Sequence, residues 1–251
     1  MKGSFLGKMP GDNPEKFAGV RAFYTYMLTH PGKKLSFMGA EIGQWNEWHY
    51  EYSLDWHLLQ YEPHRKIHSF FKAANALYLN ESSLWEQDDS WQGFQWLCAD
   101  DNKADTIAFL RWNREGIPLI VVCNFSPIHR KGYYVGAPFA GTWTPIFNTD
   151  AEEFGGNGLG DKSPLKTVNT PCHDQEQALS IDLPPMSAMI YRCTRRNPVR
   201  KKKEAGKEAT DKKTASKSKK AGDGNKSAAT KTAARKSKAA ARPSPKLKSE
   251  D

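Results

Sequence analysis

Residues 39–57 gather the side chains best suited to chemistry in this chain. Gly39-Ala40-Glu41-Ile42-Gly43-Gln44-Trp45-Asn46-Glu47-Trp48 runs on to Ser53-Leu54-Asp55-Trp56-His57. An indole offers a flat apolar face that suits the C–H face of a sugar ring. Glu41, Gln44, Glu47 and Asp55 supply partners for its hydroxyls, and buried polar groups fitted to hydroxyls discriminate where an apolar slot does not. Glu41, Gln44, Trp45, Trp48, Asp55 and Trp56 are therefore the candidate substrate-binding residues. The same stretch also has a purely structural reading, with the tryptophans in a core and the carboxylates of Glu41 and Asp55 holding loop backbone. At the level of sequence both readings stand.

Other chemistry is poorly supported. His64 and His68 lie four residues apart, a spacing that can bind metal, but no His-Glu-x-x-His pattern accompanies them. Their neighbours Arg65 and Lys66 suggest a solvated helix face. The glycine-rich residues 154–160 lack the preceding strand and following helix of a phosphate cradle. No nucleophile signature stands beside a histidine. Neither a metal nor a cofactor is expected. Cys98, Cys123, Cys172 and Cys193 form no C-x-x-C pair, which fits reduced thiols, mostly buried as small hydrophobes.

The elements that position the loop read as helix, strand, loop, helix over residues 1–85. Asp12 and Glu15 have capping-box spacing, with Pro14 in the first turn. Phe17, Val20, Tyr24, Met27 and Leu28 then recur at helical spacing until Pro31-Gly32. Residues 35–38 read as a short apolar strand, after which the loop begins. A second helix carries Ile67, Phe70, Phe71, Ala74, Leu77 and Tyr78 on one side. This alternation is that of part of a parallel α/β structure.

Over residues 86–194 the period changes. Strand-like runs at 93–98, 105–113, 117–125, 129–135, 142–149, 177–183 and 187–193 are separated by turn signals such as Arg114-Glu115-Gly116 and Pro184-Pro185. Short strands at this density predict an antiparallel β-sandwich. From residue 195 the chain is Lys, Ala, Ser and Thr, with too little apolar surface to offset chain entropy, and is expected to be disordered.

Charge divides along the same line. Of the net +9, residues 195–251 hold 20 Lys+Arg against 6 Asp+Glu, so the remainder is mildly acidic. A lysine-rich tail binds polyanions through counterion release, with no base-reading aromatics here to add a sequence code. No run of 18 apolar residues exists to span a bilayer, and the first residues carry no secretory h-region, so a cytoplasmic location and no membrane partner are expected.

Several motifs in series resemble the bacterial glycogen (1,4-alpha-glucan) branching enzymes of the α-amylase family. They are Met9-Pro10-Gly11-Asp12, His30-Pro31-Gly32-Lys33-Lys34, Leu35 to Gly39, Glu47-Trp48 and Ser53 to His57. Asn124-Phe125-Ser126-Pro127, Asn148-Thr149-Asp150 and Leu183-Pro184-Pro185 continue the match to about residue 193. Ala40 and Ile42 depart from the family's usual Asn and Phe. The resemblance implies three parts: residues 1–85 as the C-terminal piece of a (β/α)8 catalytic barrel, 86–194 as an all-β domain, and 195–251 as an added tail. It implies an enzyme that cuts α-1,4-glucan and transfers the piece to a 6-hydroxyl, with glycogen or amylose as substrate. Such retaining chemistry needs two carboxylates about 5–5.5 Å apart, which the resemblance places upstream of Met1. No catalytic residue is therefore assigned here, and the isolated chain is expected to be inactive, with an upstream half of the same enzyme as a partner. A non-catalytic glucan-binding module and a polyanion-binding protein acting through the tail are the alternatives.

Overall fold

The computed structural model of the chain describes residues 3–196, so the basic segment beyond them, with its expected disorder and polyanion binding, lies outside the described residues. Two helices precede the strands. α1, Asn13–Thr29, starts at the anticipated capping box: Asp12 Oδ1 accepts from the Glu15 N–H at 3.0 Å, and Glu15 Oε2 accepts from the Asp12 N–H at 2.9 Å. α2, Glu62–Asn80, buries Ile67, Phe70, Phe71 and Ala74. The helices meet through Tyr24, whose ring centroid lies 4.1 Å from that of Phe71.

The strands follow: β1 Phe94–Asp101, β2 Thr106–Trp112, β3 Pro118–Asn124, β4 Arg130–Ala137, β5 Gly141–Asn148, β6 Leu165–Lys166, β7 Gln177–Leu183 and β8 Ser187–Arg196. All pairings are antiparallel, in a six-stranded sheet of order β1-β2-β3-β8-β5-β6 and a two-stranded sheet β4-β7. Each of the seven strand-like runs forms a strand. The two-residue β6, too short to carry a period, is the addition.

Alternation along β3 and β8 explains the layering. Ile120, Val122, Met189 and Tyr191 point to one face and pack with Val135, Leu179 and Ile181 of the small sheet. Leu119, Val121, Cys123, Ala188 and Ile190 point to the other and pack with Val20, Tyr24, Phe70 and Phe71 of the helices. The large sheet is thus covered on both faces, by a β layer and by an α layer, which is why every residue of β3 is buried. Residues on either side of position 85 therefore share one core, and the change there is one of element type, with no gap in packing. No helix of the described residues is long and apolar enough to cross a membrane.

Arg111, on β2, ties the layers together. Its fully buried guanidinium donates to the carbonyls of Gly93 (3.1 Å), Leu84 (3.0 Å) and Thr29 and to Asp88 Oδ1 (2.8 Å). Asp88 also pairs with Lys34 at 3.7 Å, whose ammonium lies 5.5 Å from the centroid of the Tyr78 ring.

One expected element does not form. Residues 35–37 form no strand and Met38 enters a turn, and no barrel strand is present among the described residues. Leu35, Phe37 and Met38 are exposed, at 71%, 55% and 54%. A strand exists only when its N–H and C=O groups meet a neighbour's, and no described segment lies alongside to supply them.

Candidate functional site

The loop between residue 39 and α2 is fixed from below by α2 and from within by Gln44. A tight turn opens it: Gly39 has φ 83°, and a Cβ there would sit 2.8 Å from Gln44 Oε1, so both conformation and close approach require glycine. The short helical turn Ala40–Ile42 follows, with Ile42 fully buried. Two α2 histidines hold this turn. His64 Nδ1 lies 2.8 Å from the Ile42 carbonyl and His68 Nδ1 3.3 Å from that of Glu41. A carbonyl only accepts, so both rings carry the proton on Nδ1.

Gln44 is buried, and both ends of its amide are used inside the loop. Its Oε1 accepts from the Asp55 N–H at 3.0 Å and its Nε2 donates to the Asn46 carbonyl at 3.1 Å. Asn46 Nδ2 in turn donates to Asp55 Oδ2 at 3.3 Å, closing the span from 44 to 55. The amide of Gln44 and the carboxylate of Asp55 are thus both bonded within the loop.

The tryptophans separate. Trp45 turns inward and meets the rings of Phe17 (6.0 Å, 84°) and His64 (6.2 Å, 76°) edge-on. Trp48 turns to the opposite side, edge-on to Phe37 at 5.8 Å. Trp56 is half exposed at the start of the turn Trp56–Gln60.

A cavity of about 320 Å³ brings Gln44, Glu47 and Trp48 together with Phe23, Met27, Leu35 and Phe37. Tyr24 also lines it. Burial holds the Tyr24 phenol above its usual pKa, so it is a neutral donor, to Asn75 Oδ1 at 3.1 Å. Of the six candidate residues, only Gln44 and Trp48 line this space; Glu41, Trp45, Asp55 and Trp56 do not. Apolar residues predominate in its lining, with polar groups such as Gln44 and Glu47 among them, a composition common to ligand pockets. Among the described residues no group of three or more metal-ligating side chains comes together.

Comparison with known proteins shows what the chain is similar to. Residues 96–194 match the family profile of the α-amylase C-terminal all-β domain, which spans β1 to β8. The 1,4-alpha-glucan branching enzyme GlgB of Pseudomonas fluorescens (strain Pf0-1) is 46% identical over 191 residues, covering 76% of this chain and 26% of that protein. GlgB of Aquifex aeolicus (strain VF5) is 48% identical over 191 residues, covering 76% of this chain and 30% of its own length. GlgB of Thermosynechococcus vestitus is 41% identical over 199 residues. The chain thus spans between about a quarter and a third of the length of these curated relatives. Over about three quarters of its own length the chain is thus similar to 1,4-alpha-glucan branching enzymes, and the antiparallel all-β part, residues 96–194, matches the α-amylase C-terminal all-β domain.

Proposed function

We propose that this chain supplies the C-terminal part of a 1,4-alpha-glucan branching enzyme. Such an enzyme cuts an α-1,4-glucan and passes the cut piece to a 6-hydroxyl, making an α-1,6 branch. The observation that carries the reading is the 46% identity to a branching enzyme over 191 residues, long enough to include residues before the all-β domain. In this reading residues 1–85 are the end of the catalytic barrel, with α1 and α2 as two of its outer helices and residues 35–38 as its last strand. The unpaired course of 35–37 and the exposure of Leu35, Phe37 and Met38 support it, because apolar residues left uncovered and unpaired are what a barrel strand lacking its neighbours would show. The loop from Glu41 to Trp56 then follows the C-terminal end of that strand, where barrel enzymes build their sites. Glu47, Trp48 and Trp56 are its substrate-facing members, with Gln44 and Asp55 holding them in place. The carboxylates that form and break the glycosyl-enzyme bond come from the upstream part, and the setting is the cytoplasm.

The test is complementation. The chain is incubated with amylose alone, and then with a polypeptide carrying the first three quarters of a GlgB relative. Loss of iodine colour together with new α-1,6 linkages is expected only from the mixture. Sustained branching by the chain alone overturns the reading, as does an inactive mixture whose two parts form a stable complex.

A further inference from the structure

We propose that Cys98 and Cys172 close into a reversible disulfide that clips the outer strand of the large sheet to the small sheet. The proposal is independent of the glucan reading above, because neither thiol lines the loop cavity. Cys98 lies on β1, the outer strand, half-buried against the cluster between the two sheets. The register of β1 against β2 shifts on both sides of it, between Trp96 and Cys98 and between Cys98 and Asp101. Such bulges bend a strand and re-aim its side chains.

Both cysteines come to the same place on β4. Three residues after Cys98, Asp101 Oδ2 accepts from the Tyr133 hydroxyl at 3.1 Å, which brings the end of β1 against the small sheet. Cys172 Sγ lies 3.6 Å from the carbonyl of Tyr134, the next residue of β4. The turn that carries Cys172 is seated there. Cys172 N–H donates to the Gln175 carbonyl at 3.0 Å, and Gln175 N–H to the Cys172 carbonyl at 2.9 Å. The two residues between them, His173 and Asp174, stand at φ 51° and 59°, a left-handed conformation that costs an L-residue energy. Gly136 of β4 admits the turn: a Cβ there would sit 2.5 Å from the Cys172 carbonyl, and its N–H donates to His173 Nδ1 at 3.3 Å. Strain of this kind gathers at working sites, where the surroundings over-determine it. Burial, and after it the Cys98 thiol, hold Cys172 above its usual pKa, so the two sulfurs sense one another. Both are partly exposed, as attack by a small oxidant requires, whereas Cys123 is fully buried.

The co-reactant is a low-molecular-weight disulfide of the glutathione class. One protein thiolate attacks a sulfur of it, forming a mixed disulfide and expelling one small thiolate. The second protein thiolate attacks the protein sulfur of that bond, forming the Cys98–Cys172 link and expelling the other small thiolate. The two protein thiols give up two protons and two electrons, and the small disulfide is reduced to two thiols. Only the thiolate attacks, so closure speeds up as pH rises toward the raised pKa of Cys172. A link of this kind, made and undone by the small-thiol pool, is the form that disulfides take in a reducing compartment.

In the experiment the full chain is equilibrated with oxidised glutathione, alkylated and digested, and its cross-linked peptides are identified by mass spectrometry. A Cys98–Cys172 link is expected as the main product, reversed by dithiothreitol. Closing so long a loop is expected to raise the melting midpoint of the oxidised chain by roughly 5–15 °C. Cys98→Ser and Cys172→Ser should each abolish that rise, and Cys193→Ser should keep it. Because the link is read on the parent chain, a variant that folds poorly does not obscure the answer. Glutathione adducts without a 98–172 link overturn the proposal, as does a link that joins a different pair of cysteines or forms only in urea. A 98–172 link that leaves the midpoint unmoved overturns the clip between the sheets.

Discussion

Removing the Arg111 side chain should loosen the helices from the sheet at a cost that can be worked from its contacts. Arg111→Ala strips the donor from three buried carbonyls, those of Thr29, Leu84 and Gly93. An unpaired buried polar group costs about 1–3 kcal/mol, and carbonyls sit at the low end because they tolerate partial satisfaction better than amides. Three of them come to roughly 3 kcal/mol. Asp88 adds less, since its carboxylate is 22% exposed and regains water. Cutting one partner out of a buried ion pair falls at about 3–5 kcal/mol, and the two routes agree. In a folded unit of this size each kcal/mol moves the midpoint by about 2–4 °C, so melting followed by circular dichroism should show a fall of about 6–20 °C. Asp88→Asn, which leaves all three carbonyls bonded, should cost less than half as much. A fall below about 2 °C for Arg111→Ala, or equal losses for both variants, would refute the view that the carbonyls set the cost.

Two further outcomes follow from the same neighbourhood and from the loop. Burial lowers the Lys34 pKa from 10.5 to about 8, against the opposing pull of Asp88. Between those values the unfolded chain binds a proton that the folded one does not, so stability on this group's account falls as pH drops from 10.5 to 8 and is level below that. Denaturant unfolding of the parent minus that of Lys34→Met should therefore rise by about 1 kcal/mol from pH 8 to 10, less than the full shift implies because the ammonium still reaches water; a flat difference contradicts it. Gln44→Ala removes two of the three side-chain bonds inside the loop, so limited proteolysis should cut residues 46–54 several-fold faster with little change in melting; unchanged cleavage shows that the Asn46–Asp55 bond and the two α2 histidines suffice to hold it.

Much of the fold was legible because its signals are local. The Asp12–Glu15 box and the turn residues between strands each specify a short stretch of backbone without help from elsewhere, and the seven strands and both helices appear where they direct. Residues 35–38 mark the limit: Leu35, Phe37 and Met38 have the composition of a strand, but pairing needs neighbours that periodicity cannot see. The double burial of the large sheet was readable in one place, the unbroken apolar run of β3, where a half-exposed strand would alternate. The candidate site was legible as a loop and not as a geometry. Nothing in the spacing of Trp45 and Trp48 says that they face opposite ways, or that Gln44 spends both ends of its amide on backbone.

The order of strands in the large sheet has a consequence for synthesis. β8, the last strand of the described residues, lies in the middle, between β3 and β5, and its Ala188 and Ile190 form part of the floor on which α1 rests. The helices leave the ribosome before these strands and then wait through more than a hundred residues for the surface that covers them. Until β8 arrives the nascent chain carries a pair of helices and three separate strand groups, β1-β2-β3, β5-β6 and β4-β7, with open edges, the kind of intermediate that attracts chaperones and aggregates when it lingers. Completion is then abrupt, because a single segment closes the sheet and both of its faces at once.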